Sequence, residues 1–170
     1  MPLFLDACAF AKRYLHEGTS TERMRDITGR FDRWGGFVVS SFIEPEVISA
    51  FAKYARNASH PVLRAHYIRK HAGVVESFRR DLSKGAFTII PLSDELVEEA
   101  AKLLKSHPEY DIGAGDAVHL VTALEIRPQL EGPLVFVTAD RGLEEAARAQ
   151  GLVTVNPLRD AVDMVERVTR

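Results

Sequence analysis

Five short apolar runs punctuate this chain, and a stretch of helical character separates each from the next. PLFLD, FVVS, Phe87 to Ile90, LVFVT and LVTV have the length and residue types of strands. Strands that alternate with helices imply a mostly parallel sheet with helices on both faces, an α/β fold of about five strands. The sequence shows no internal repeat, low-complexity stretch or linker, so positions 1–170 read as one domain.

Helix signals fill the intervals. Ala7 to His16 reads as helical until Gly18 breaks it, and Thr19 or Ser20 caps a second helix toward Arg33. Trp34-Gly35-Gly36 marks a turn before FVVS. Ser41 and Glu44 fit a capping box for a helix that carries Glu46, Val47, Ala50, Phe51 and Tyr54. Asn57 to Pro61 interrupts, and a basic helix is expected over most of Val62 to Lys84. Ser93 caps another helix, closed at His107-Pro108. Further helices are expected over Gly113 to Ile126, from Asp140 to Gln150, and from Leu158 onward.

Composition sets the class. With 170 residues, 46% hydrophobic and 27% charged, the chain can bury a core without staples. Neither a bilayer-spanning apolar run nor a signal peptide is present. One cysteine, Cys8, excludes an internal disulfide and a cysteine-rich zinc site, which makes the cytoplasm the expected location. The net charge of −2 hides a local excess: from Phe51 to Lys84, eight basic residues face only Glu76 and Asp81. Such a segment suits a phosphate polymer or forms a solvated helix face.

Asp6 and Asp140 fall at the ends of apolar strands, and Glu46 and Asp116 fall near helix starts. In an open parallel sheet those places border one crevice, beyond the carboxyl ends of the strands. Each acid alone is explained by helix capping. Together they suggest a site for Mg²⁺ or Mn²⁺, since clustered carboxylates repel one another and hard oxygens select such cations. A cation held this way polarises a phosphoryl oxygen and activates water for phosphodiester hydrolysis.

Four stretches in order, LFLDACAFAKRYLHEGTS, SSFIEPEVISAFAK, AGDAVHLVTALE and VFVTADRGLEEAARAQGL, resemble the motifs of PIN-domain ribonucleases, especially the VapC-type toxins of toxin–antitoxin pairs. The resemblance runs from Leu3 to Leu152. It implies a PIN-like three-layer sandwich and a metal-dependent endoribonuclease that leaves a 5′-phosphate and a 3′-hydroxyl. Asp6 and Asp116 would be the principal metal ligands, Glu46 would complete the first site or bind through water, and Asp140 would hold a second or weaker metal. Glu44 rivals Glu46; the family's acid just ahead of an apolar-x-x-Ala stretch, here VISA, favours Glu46. Implied partners are an RNA substrate, a cognate antitoxin and a second copy of this chain, with no membrane.

Two positions depart from the family pattern: Cys8 stands where Ser or Thr is usual, and Gly113 where many toxin relatives carry Arg. These departures motivate an alternative, a catalytically weak RNA- or protein-binding module on the same fold. An aspartyl-phosphate phosphatase with Asp6 as nucleophile would need a second Asp where Cys8 stands.

Other residues have supporting roles in this reading. Thr138 is either a strand residue or a hydroxyl for metal-coordinated water. His119, three positions after Asp116, is expected to be a partly buried packing residue with a hydrogen-bond partner, and Cys8 a small buried residue. Lys12, Arg13, Lys53 and Arg56 are candidate RNA contacts, with Tyr14 available for stacking. The alternative for Lys12, Arg13 and Tyr14 is a face packed on the sheet or a partner. His60, His66 and His71 lack the spacing of zinc ligands.

Overall fold

The first strand shows how the two faces divide. In β1 (Leu3–Leu5), Leu3 and Leu5 point into one core, while Phe4 points into another. The same alternation recurs in β2 (Phe37–Ser40) and β4 (Val135–Val137), where Val38 and Phe136 join Phe4. All three residues of β1 are fully buried, because β1 lies in mid-sheet with β2 on one side and β4 on the other. The computed structural model describes residues 2–15, 18–30, 36–85 and 87–160.

The sheet has five parallel strands in the order β3-β2-β1-β4-β5, with β3 (Phe87–Ile90) and β5 (Val153–Val155) at the edges. On the Leu3 face pack α1 (Ala7–Lys12), α2 (Thr19–Gly29), α3 (Ile43–Arg56) and α4 (Pro61–Ser83). On the Phe4 face lie α6 (Ala114–Ile126) and α7 (Arg141–Ala149), with α5 (Asp94–Ser106) packed on α6. This is the three-layer α/β sandwich expected from the sequence. The chain steps outward from β1 through β2 to β3, then returns to the far side of β1 for β4. Right-handed crossovers in opposite directions put helices on opposite faces, and the order switches between β1 and β4.

Aromatic side chains hold the Leu3-side core. Phe10 meets Phe78 at 5.4 Å edge-on, and Phe78 also meets Phe51 and Tyr14 edge-on. Phe78 is the one buried residue of α4, whose exposed first half includes Val62, Leu63 and Ile68. On the other face, Phe4 stacks on Phe136 at 5.3 Å. Rings of this size stabilise by roughly 1.5–3 kcal/mol each through burial alone. Among the described residues, no helix is long and apolar enough to cross a membrane.

Several local expectations are corrected. The Ser41 hydroxyl accepts from the Leu92 amide at 2.9 Å instead of capping α3, whose N-cap is Phe42. A cross-strand demand for a hydrogen bond at the β3 end outcompetes the local cap. The residue preceding α2 is Gly18, with no side-chain cap, and α1 ends at Lys12, short of His16. Residues 157–159 form a turn. The remainder of the expected C-terminal helix, and Trp34-Gly35, lie outside the described residues.

Candidate metal centre

Asp6 follows β1 directly and caps α1. Its Oδ1 accepts from the Ala9 amide at 2.6 Å, and its Oδ2 accepts from the Thr138 hydroxyl. Only 1% of Asp6 is exposed. Burial raises its carboxyl to about 6, against the lowering effect of the Ala9 and Thr138 hydrogen bonds, and the negative charge of Asp116 adds to the rise. An acid buried this deeply needs partners. Thr138, fully buried just past β4, supplies one and also accepts the Asp140 amide at 3.0 Å. Its hydroxyl thus links two of the four acids.

Asp140 caps α7 through Oδ1, which accepts from the Leu143 amide at 2.9 Å. Two residues on, a Cβ on Gly142 would lie 2.1 Å from the Asp111 carbonyl oxygen. Glycine therefore lets the start of α7 press on the loop that precedes α6. In the first turn of α6, Asp116 accepts from the Gly113 amide at 2.8 Å. Its carboxyl is raised by desolvation, opposed by that hydrogen bond, with the charges of Asp140 and Glu46 adding to the rise.

Glu46, in the first turn of α3, reaches across to α6. Its Oε2 lies 2.5 Å from His119 Nε2. His119 is 1% exposed, so the expected partly buried histidine is fully buried. Its ring touches Phe4 edge-on and faces Phe42 at a tilt. Glu44 points elsewhere, to an ion pair with Arg79 at 2.7 Å. Of the two acids, Glu46 is the one that reaches α6.

The Cys8 thiol is pushed up to about 12, first by its partial enclosure and then by Asp6, Asp116, Asp140 and Glu46. The Thr138 hydroxyl joins Asp6 to Asp140, and Glu46 rests against Gly115, next to Asp116, at the carboxyl end of the sheet where strand order switches. Cys8 itself is exposed, contrary to the expectation of a buried residue. Its place in the first turn of α1 faces it outward over the acids.

Among the described residues, no three His, Cys, Asp or Glu side chains already converge as a formed metal site. The donor chemistry nevertheless suits a hard cation: four carboxylates, each oriented by a named hydrogen bond, one of them buried and raised by burial. A divalent ion would offset both the repulsion and the burial cost.

Beside the acids, a hollow of about 500 Å³ is lined by Cys8, Lys12, Lys53, Asn57, Tyr54 and Tyr67, among others. Arg56 is exposed and does not line it. Arg13 turns away from the acids, its Nε donating to Asp81 at 3.2 Å and its Nη1 to the Thr28 hydroxyl. The Tyr14 hydroxyl also donates to Asp81, at 2.8 Å. Burial alone would raise Asp81, but hydrogen bonds from Lys84, Tyr14 and Arg13 hold it below the usual carboxylate range. Arg13 and Tyr14 thus tie the end of α1 to α4, and both also line a second hollow. In the basic segment, Arg79, Arg80 and Lys84 are paired with Glu44, Glu76 and Asp81, whereas Arg69 and Lys70 line a hollow of about 730 Å³.

The family model of the PIN domain matches residues 3–149. The chain belongs to the PIN domain family. Solved structures of similar fold include VapC20 of Mycobacterium tuberculosis, a toxin that cleaves the sarcin-ricin loop. It is 13% identical, with a TM-score of 0.66 over 91% of this chain and 99% of that one. VapBC2 of Rickettsia felis, bound to a DNA fragment from its promoter, is 14% identical over 92% and 98%, with a TM-score of 0.53. VapBC-1 of nontypeable Haemophilus influenzae is 12% identical over 94% and 100%, with a TM-score of 0.54. No curated protein matches the chain.

Sequence reasoning missed the bonds between these residues more than the residues themselves. The Thr138–Asp6 and His119–Glu46 contacts join positions 132 and 73 residues apart. The Asp116–His119 spacing was the one local signal for the second, since it put His119 on the helix of an expected ligand. Nothing local pointed to Gly115 or Gly142.

Proposed function

We propose that this PIN-domain chain is a single-domain, Mg²⁺- or Mn²⁺-dependent endoribonuclease and the toxin of a toxin–antitoxin pair. The placement of the four acids carries the proposal: Thr138 joins Asp6 to Asp140, and Glu46 rests on Gly115 beside Asp116, at the strand-order switch. Asp6 and Asp116 would be the principal ligands, Glu46 would complete the first site directly or through water, and Asp140 would serve a second or weaker cation. When bound, the cation would polarise a phosphoryl oxygen and favour ionisation of the attacking water.

The protein's own groups set the geometry. Thr138 fixes Asp6 and the backbone at Asp140, the Gly113 amide fixes Asp116, and His119 fixes Glu46. Lys12 and Lys53 place positive charge in the hollow beside the acids, and Tyr54 and Tyr67 offer rings. Phosphate attraction with base stacking is how single strands are held. A smaller hollow shares Leu15, Tyr54 and Tyr67 with this one, and Tyr14, Lys70 and Val74 with the hollow that Arg69 lines. Toxin–antitoxin relatives of the same fold support a small protein partner, and action in the cytoplasm as a homodimer belongs to the same proposal.

The alternative of a catalytically weak binding module rests on Cys8 and Gly113. Gly113 keeps a use of its own, since its amide holds Asp116. The test is the chemistry of the ends. Cellular RNA incubated with purified protein and Mg²⁺ should yield 5′-phosphate and 3′-hydroxyl termini. Cyclic 2′,3′-phosphate termini, formed equally in chelator, would contradict the proposal. Intact RNA together with no divalent-dependent rise in Tm would favour the binding module.

A further inference from the structure

Two residues of α6, Gly115 and His119, are one turn apart on the same helix face, and both bear on the carboxylate of Glu46. His119 Nε2 meets Oε2 at 2.5 Å. A Cβ at Gly115 would lie 1.9 Å from Oε1 and 2.9 Å from the carboxyl carbon. It would also come within 3.3 Å of Phe42 Cε1, so the far wall is closed as well. The carboxylate therefore rests on bare backbone at one oxygen and is hydrogen-bonded at the other. Any larger residue at Gly115 would push it away, although the backbone there does not require glycine: Gly115 is absent from the residues with positive φ.

The rest of His119 is not engaged in the same way. Nδ1 is buried and, among the described residues, has no hydrogen-bond partner. An ionised carboxylate only accepts, so the hydrogen belongs on Nε2, and Nδ1 is left facing the apolar surroundings of Phe4 and Phe42. A residue needed only to fill that space would be leucine or phenylalanine, with no polar atom to bury. Among the described residues, the ring's hydrogen bond is to Glu46.

We propose that Gly115 and His119 act together as a positioning clamp, fixing Glu46 so that Oε1 lies over Gly115, beside Asp116, to meet a divalent cation. This rests on Glu46 being a ligand of the proposed metal centre. His119 is then a positioning residue that does not itself touch the cation.

Mn²⁺ affinity of the purified full chain, measured by calorimetric titration, is the test. His119→Leu and Gly115→Ala are each expected to weaken binding by about 10- to 100-fold, as loss of a partner that orients a ligand does. His119→Gln, whose amide can donate to the same oxygen, should recover most of that loss. In a Glu46→Ala background, neither His119→Leu nor Gly115→Ala should weaken binding further. In chelator, His119→Leu should keep the wild-type Tm or exceed it, since it removes the buried Nδ1. If Gly115→Ala does not fold, the His119 series alone decides. Wild-type affinity in His119→Leu, or an equal loss with Glu46 already absent, would overturn the clamp while leaving the metal centre standing. A wild-type chain that binds no Mn²⁺ would overturn the metal centre, and the clamp with it.

Discussion

Asp6 is held at about 6 by burial, so the folded chain binds a proton there more tightly than the unfolded chain does. Its effect on stability has a definite sign. The contribution is most favourable when both states are protonated, falls as pH rises from the ordinary carboxylate value toward 6, and is flat above that. A rise from the ordinary carboxylate value to about 6 corresponds to roughly 3 kcal/mol at most. Without divalent ions, Asp6→Asn is therefore predicted to be about 1–3 kcal/mol more stable than wild type at pH 7.5. The gap should close toward pH 4, as urea unfolding in chelator would show. A wild type more stable than the variant at pH 7.5 would contradict this account of Asp6. The acid was legible in the sequence because an apolar strand ending in a carboxylate is unusual. Its two partners were not, since Thr138 is 132 residues away and only the parallel pairing of β1 with β4 brings it close.

At the scale of elements, the start of α7 depends on one missing side chain. Gly142 lets α7 sit against the Asp111 carbonyl, and that contact helps aim Asp140, the N-cap two residues earlier. Gly142→Ala is predicted to destabilise the chain by about 1–3 kcal/mol, the usual cost of forcing an extra methyl into a packed contact. It should also weaken Mn²⁺ binding, because the helix must shift. Urea midpoints and a Mn²⁺ titration would check both effects, and unchanged values would show that the contact is slack. Helices and strands were legible here from Pro, Gly and capping residues, as with Ser93, whose hydroxyl accepts from Leu96. Ser41 and Glu44 were misleading because tertiary partners, the Leu92 amide and Arg79, outcompete the local capping box. The contacts of Arg13 and Tyr14 with Asp81, on a helix far along the chain, were likewise beyond local signals.

For the whole molecule, the strand order matters most: it switches between β1 and β4, where open parallel sheets bind their ligands, and Asp6, Glu46, Asp116 and Asp140 each stand at a helix start. Alternating strand and helix signals made the parallel sheet legible, but strand order follows from crossover handedness and packing, which no local signal contains. The basic segment was legible as a count of charges. How the charges divide was not: Arg79, Arg80 and Lys84 are spent on ion pairs, while Lys53, Arg69 and Lys70 line hollows. If those three meet RNA phosphates, each replacement by Ala should lower the slope of log K against log salt by about 0.7. Arg79→Ala should leave that slope unchanged. Equal slopes throughout would place the RNA elsewhere on the surface.

The most direct measurement is the initial rate of RNA cleavage against Mg²⁺ or Mn²⁺ concentration, for wild type beside folded Asp6→Asn and Asp116→Asn. The account predicts saturable, chelator-sensitive cleavage by wild type and at least a hundredfold loss in either variant, about 2.7 kcal/mol of transition-state stabilisation. Cleavage that persists in chelator, or that survives in both variants, would contradict it.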